Sequence, residues 1–235
     1  MGGVCRPCYC NCNSPVSIPL PPTLELLETR NNQETALLVY GYDLETTRFS
    51  PFEDQIISAQ YSYDDGNVSF YPSWEYESER ELLVDFLDDW AGIKRKRIGA
   101  DGALFVGFNI LGFDAPFLFL KCITTDGVLN DLGWSYEDCW NQIYRWPSYL
   151  DLAHLLGADF IGMEAVRGEI VGTQGDFAGE DVPEYYENGK HEIIEEYVRD
   201  ELAAMAAIYE ELRDSAFFEE LMGIRRQVGL ERELV

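Results

Sequence analysis

Ala36-Leu37-Leu38-Val39-Tyr40-Gly41-Tyr42-Asp43-Leu44-Glu45 is the stretch that decides the fold. Ala36 to Tyr42 is mostly apolar, without the polar alternation of a half-exposed strand. That pattern predicts a strand covered on both faces, as at the centre of an α/β sheet. The run then ends in acid. Side chains alternate along a strand, so Asp43 and Glu45 share a face and Leu44 points into the opposite layer. Two carboxylates so close repel one another unless a positive charge lies between them. Mg²⁺ takes such hard oxygen ligands and keeps positions open for phosphate and water. A solvated strand end is the alternative, and Asp-x-Glu alone does not exclude it.

Outward from this strand the elements follow quickly. Ile56 to Tyr63 and Val68 to Tyr71 read as a hairpin around the turn Asp64-Asp65-Gly66-Asn67. Leu82, Leu83, Phe86, Leu87 and Trp90 lie at helical spacing within Glu79 to Trp90. Ala103 to Phe108 predicts another buried strand. Ala115 to Cys122 predicts a helix with Pro116 in its first turn, where Pro is tolerated. Residues 123–190 contain many turn formers and no clear period. His191 to Leu212 is a long amphipathic helix, and Ala216 to Met222 a short final one. This order predicts an α/β fold with the first strand central.

Two further segments carry acids. Phe108-Asn109-Ile110-Leu111-Gly112-Phe113-Asp114 leads from a buried strand into a helix. Asp114 is either a site carboxylate or a helix N-cap. Tyr197-Val198-Arg199-Asp200-Glu201 lies inside the long helix. Ile194, Val198, Met205, Ile208 and Leu212 form its apolar stripe. At about 100° per residue Glu201 falls within that stripe and Asp200 is rotated to the flank. A carboxylate facing the body of the protein must be paired or bound to metal. Tyr197 is one turn earlier on nearly the same face.

Together the three segments resemble the exonuclease motifs of the DEDD superfamily, in the subtype with a tyrosine in motif III. Asp43-Leu44-Glu45-Thr46-Thr47 matches motif I, Asn109 to Asp114 motif II, and Tyr197 with Glu201 motif III. The likeness is to stand-alone exonucleases related to the proofreading domain of family B DNA polymerases. It implies a ribonuclease H-like mixed sheet flanked by helices and 3′-5′ exonuclease activity by two-metal hydrolysis. Asp43, Glu45, Asp114 and Glu201 would hold two Mg²⁺ or Mn²⁺ ions roughly 4 Å apart. Tyr197 would orient the attacking water. Leu44, Thr46, Thr47, Asn109 and Phe113 would seat the terminal nucleotide. Single-stranded or frayed DNA 3′ ends are the implied substrate, with RNA as a second candidate and a replication or repair partner in prospect. The family has Asp where this chain has Glu201. The longer side chain predicts a slowed enzyme favouring Mn²⁺, and keeps open a catalytically weak or inactive ribonuclease H-like domain that binds nucleic acid or a partner.

Other residues are weaker candidates. Asp151 reads as a site acid, a helix cap or a buried acceptor. His191 lies too far before Glu201 for a motif III base and reads as a helix-start surface residue. Tyr42 and Phe117 fit the core better than base stacking.

Composition frames these motifs. A net charge of −26 suits neither a simple nucleic-acid binder nor a basic phosphate groove. Divalent cations can reverse that sign locally, and a salt-rich host would screen it. Lys94-Arg95-Lys96-Arg97 is the dense basic run, either a phosphate contact or a solvated loop. Cys5, Cys8, Cys10 and Cys12 could close a Zn²⁺ site, or be thiols in a tail. Cys122 and Cys139 read as buried. No run suits a membrane helix or a signal peptide, so a cytoplasmic protein is expected. The expected divisions are a Cys/Pro-rich tail over 1–35, the exonuclease domain over 36–215 and a helical extension over 216–235.

Overall fold

The computed structural model describes residues 38–63, 65–95, 103–145, 147–158, 161–175, 178–216 and 218. The cysteine tail, with its Zn²⁺ expectation, and most of the C-terminal extension lie outside them. So do the side chains of Lys94 to Arg97, although Lys94 and Arg95 belong to the last turn of a helix rather than to a loop.

Five strands form one mixed sheet: β1 Leu38–Thr46, β2 Ile56–Tyr63, β3 Val68–Pro72, β4 Leu104–Gly107 and β5 Ser148–Asp151. Their order is β3-β2-β1-β4-β5. The first three pair antiparallel, and β4 and β5 add in parallel. This is the ribonuclease H-like α/β arrangement, with β1 central as expected. Helices cover both faces: α1 Glu79–Arg95, α2 Asp114–Thr124, α3 Val128–Leu132, α4 Tyr136–Trp140, α5 Leu152–Leu156, α6 Met163–Ile170, α7 Val182–Glu187 and α8 His191–Arg213. Among the described residues no helix is long and apolar enough to cross a membrane.

One face of the sheet packs against α1 and α2. There Val39, Tyr42 and Leu44 meet Leu83, Phe86 and Trp90 of α1. The other face packs against α8 and α6, where Tyr40 and Val106 meet Met205, Ile208 and Val166. Tyr40 and Tyr42 are two residues apart yet face opposite layers. Regular alternation forbids that, and a β-bulge explains it. Tyr40 pairs with Ser62 and Asp43 with Gln60, so β1 spends one residue more than β2 over that interval. Gly41 sits in the bulge with φ 68. A one-residue slip exchanges the two faces of everything that follows. Tyr42 and Leu44 thereby continue the α1 face, and Asp43 and Glu45 turn toward α8.

Gly41 also sets the distance between sheet and helix. A Cβ there would lie 2.1 Å from Leu202 Cδ2 on α8. Gly41→Ala is expected to lose about 1–2 kcal/mol to the left-handed backbone alone, and more through displacement of α8. Urea unfolding would measure it, and an unchanged midpoint would contradict this packing.

The stretch 123–190 has no period because its elements are too short to show one. α3, α4 and α5 are single turns of five residues, and a π-turn, Asn141–Arg145, links α4 to β5. β5 has only four residues, yet it completes the sheet edge beside β4 and the turn that follows it.

Candidate metal centre

Asp43 and Glu45 leave the end of β1 on the α8 side, and Glu201 meets them from α8. One carboxylate oxygen from each lies within 4.8 Å of the others. Gln60 Nε2 on β2 donates to Asp43 Oδ2 at 2.7 Å and holds that side chain in place. Tyr197, one turn before Glu201 on α8, lines the same cleft. Tyr197 is buried, and a Cβ on Gly179 would lie 2.8 Å from its hydroxyl. The short 3-10 turn Gly179–Asp181 therefore closes over Tyr197 with no side chain between.

Asp114 is the first residue of α2, but it does not cap that helix. The N-cap position is Phe113, without a side-chain bond. Asp114 Oδ1 instead accepts the Leu44 N–H at 3.0 Å, tying the start of α2 to the backbone of β1 between Asp43 and Glu45. Asp114 is buried and lines the same cleft as Asp43, Glu45 and Glu201.

The four acids share an electrostatic problem. Burial and next the charge of Asp43 push Glu45, Asp114 and Glu201 well above ordinary carboxyl values. Asp43 is raised by burial too, against the hydrogen bond from Gln60 that lowers it. Burial and then the Glu201 charge raise Tyr197. None of the four acids forms an ion pair with Lys or Arg among the described residues. Glu201 Oε2 is buried with no hydrogen-bond partner. An orphaned carboxylate oxygen beside two further acids is costly without a cation. Hard oxygen donors with no organic counter-charge fit divalent metal.

The acids form one wall of an open cleft of about 420 Å³. Asn109 and Phe113 line it, and Phe108, Ile161 and Met163 add an apolar side. Ile161 and Met163 come from the stretch without period, and nothing in the sequence marks them. Leu44 lines the cleft although its side chain is packed into the α1 layer. Thr46 and Thr47 are not part of the lining. Their hydroxyls brace the β1–β2 loop: Thr46 Oγ1 donates to the Arg48 carbonyl at 2.5 Å, and Thr47 Oγ1 accepts the Gln55 N–H at 3.0 Å. Tyr42 and Phe117 belong to the core.

Asp151, open between three readings in the sequence, is both cap and acceptor. Its carboxylate caps α5 through the N–H groups of Ala153 and His154. It also accepts from Asn109 N at 2.9 Å and Leu111 N at 3.0 Å. Asn109 has φ 59, a conformation Asn tolerates better than most residues. The turn over residues 109–113 thus hangs from the end of β5. Asp151→Ala is expected to cost about 2–3 kcal/mol by stranding these amides, and to loosen the turn that presents Asp114. Denaturant midpoint and metal affinity should fall together; a drop in stability alone would separate the turn from the centre.

Asp200 is held elsewhere. Arg167 on α6 grips it bidentately at 2.5 and 2.9 Å, clamping α8 to α6. His191 is not a bare surface residue: its ring stacks on Trp74 with centroids 4.0 Å apart. Cys122 and Cys139 are buried free thiols, as expected.

No protein-family model matches the sequence, and no curated protein matches it. Among solved structures the chain is similar to the family B DNA polymerase from the hyperthermophilic archaeon Pyrobaculum calidifontis, with a TM-score of 0.51 and 17% identity. The match covers 75% of this chain and 24% of the polymerase, so the chain spans about a quarter of that protein's length. At this identity the likeness carries the fold, a mixed α/β sheet flanked by helices.

Proposed function

We propose that the protein is a metal-dependent 3′-5′ exonuclease that releases nucleoside 5′-monophosphates from single-stranded or frayed DNA ends. The observation that carries this reading is the meeting of Asp43, Glu45 and Glu201 within 4.8 Å, with one buried oxygen of Glu201 unpartnered. Asp43, Glu45, Asp114 and Glu201 would hold two divalent ions. When bound, such ions activate water, stabilise the leaving 3′ oxygen and offset charge on the phosphate.

The chain's own groups supply the rest. Gln60 and the Leu44 N–H fix the orientations of Asp43 and Asp114, so little reorganisation is left for substrate binding. The Tyr197 hydroxyl, in the same cleft as Glu201, would orient the attacking water. Asn109 and Phe113 would seat the sugar and base of the last nucleotide against the apolar side of the cleft. The likeness to a family B DNA polymerase supports a nucleic-acid substrate.

The test uses single strands labelled at the 5′ end, incubated with Mg²⁺ or Mn²⁺ across salt concentrations. A ladder shortening from the 3′ end and abolished by chelator is expected. Internal cuts, or cleavage indifferent to chelator, would overturn the proposal.

A further inference from the structure

The β1–β2 loop carries an uncovered aromatic and basic rim beside the candidate metal centre. It begins directly after motif I and reads Thr47-Arg48-Phe49-Ser50-Pro51-Phe52-Glu53-Asp54-Gln55. Phe49 is 86% exposed and Phe52 69% exposed, more than any other large apolar side chain among the described residues. The loop is closed by its own hydrogen bonds. Thr47 N donates to the Gln55 carbonyl at 2.9 Å, and Ser50 N to Asp54 Oδ2 at 2.7 Å. These bonds close the loop on itself and leave the Phe49 and Phe52 rings largely exposed.

Phe49 is connected to the cleft. Its ring packs edge-on against Phe113, with centroids 6.0 Å apart, and Phe113 lines the cleft beside Asp114. Arg48 precedes it and is exposed. Arg80, Arg167, Arg199 and Arg213 each pair with a carboxylate, whereas Arg48 has no ion pair among the described residues. In a chain of net charge −26, a guanidinium with no ion pair among the described residues, next in sequence to an exposed ring, fits a polyanion with flat faces.

We infer that Arg48, Phe49 and Phe52 form a platform for single-stranded nucleic acid, gripping the nucleotides that precede the terminal one. The inference rests on the exonuclease reading for the strand's direction. A cleft of 420 Å³ is the size of a small-molecule site, so a longer strand must leave it over the rim. Aromatic faces stack on bases without regard to sequence, and an adjacent Arg takes the phosphate. The platform explains how an acidic protein retains a polyanionic strand: bridging ions hold the terminal phosphate, and stacking with one cation holds the next.

The test is binding, read apart from cleavage. Fluorescence anisotropy of a 5′-fluorescein single-stranded DNA of ~12 nucleotides, in Ca²⁺ at low salt, gives Kd for the full chain and its variants. Phe49→Ala with Phe52→Ala is expected to raise Kd about tenfold or more, within the range seen for losing base–aromatic stacks. Phe49→Trp with Phe52→Trp should keep Kd near that of the unaltered chain, and Leu at both positions should not restore it. Arg48→Ala should weaken binding and lower the slope of log Kd against log salt by about one. An unchanged Kd in the alanine pair, or rescue by Leu equal to that by Trp, would overturn the platform. Cleavage of the same strand in Mn²⁺ is scored separately. A chain that binds through these residues yet releases no nucleotide keeps the platform and loses the exonuclease reading. A chain that cleaves with equal KM in the alanine pair and the unaltered protein loses the platform and keeps the enzyme.

Discussion

Asp43→Ala is expected to lower nucleotide release by about 10²–10³-fold or more, the scale of losing a preorganised electrostatic partner of the transition state. Asp43 belongs to the cluster whose carboxylate oxygens lie within 4.8 Å of one another. It contributes to the raised carboxyl values of Glu45, Asp114 and Glu201, second only to burial in each. The same substitution should stabilise the metal-free protein, and the sign follows from proton linkage. A carboxyl whose folded value is raised binds protons that the unfolded chain releases. Its stabilising effect is therefore present at low pH and is lost as pH climbs from the ordinary value near 4 through the raised one. Without metal, the melting temperature of the unaltered protein should fall as pH rises from about 5 to about 8, more steeply than that of Asp43→Ala. At neutral pH the variant should melt about 3 °C higher or more. Mg²⁺ or Mn²⁺ should raise the melting temperature of the unaltered protein and have much less effect on the variant. Melts with and without chelator decide this. Near-native activity in Asp43→Ala would remove the two-metal reading, and a lower metal-free melting temperature would mean that the acids do not repel one another as described.

Glu201→Ala and Asp200→Ala should separate cleanly, though the residues are neighbours. Glu201 joins Asp43 and Glu45, and Glu201→Ala should remove activity to a similar extent. Glu201→Gln keeps the shape and drops the charge, and should be as inactive if the side chain holds metal. Asp200 is bound to Arg167, whose side chain is 11% exposed. Asp200→Ala should cost about 1–2 kcal/mol of stability, discounted because Asp200 itself is 37% exposed. Activity should fall less than about tenfold, through a small shift of α8 rather than loss of a ligand. Steady-state rates with urea midpoints for the three variants make the comparison. The reverse ranking of the two alanine variants would move the ligand to Asp200 and break the arrangement described.

Much of this arrangement was legible in the sequence. The apolar run before Asp43 specified a central strand, because only a strand covered on both faces lacks polar alternation. The period of α8 placed Glu201 among apolar residues and Asp200 on the flank, because a helix turns about 100° per residue whatever surrounds it. The order of hairpin, helix and parallel strand specified the α/β class. Where elements shrink to four or five residues, as in β5 and α3 to α5, no period can develop. Asp151 therefore stayed ambiguous, and Ile161 and Met163 went unmarked. Other matters were settled only by the tertiary structure, because they depend on groups distant in sequence. The bulge at Gly41 turns Asp43 and Glu45 toward α8, and it is defined by pairing with β2 and by the approach of Leu202. Asp114 gives an oxygen to the Leu44 N–H rather than to its own helix, since β1, against which α2 packs, offers that donor. Thr46 and Thr47 brace a loop instead of lining the cleft. Asp200 is engaged because Arg167, thirty-three residues away, reaches it across the α6–α8 contact. Local periodicity reports which way a side chain leaves its own element. What it then meets is decided by packing between elements.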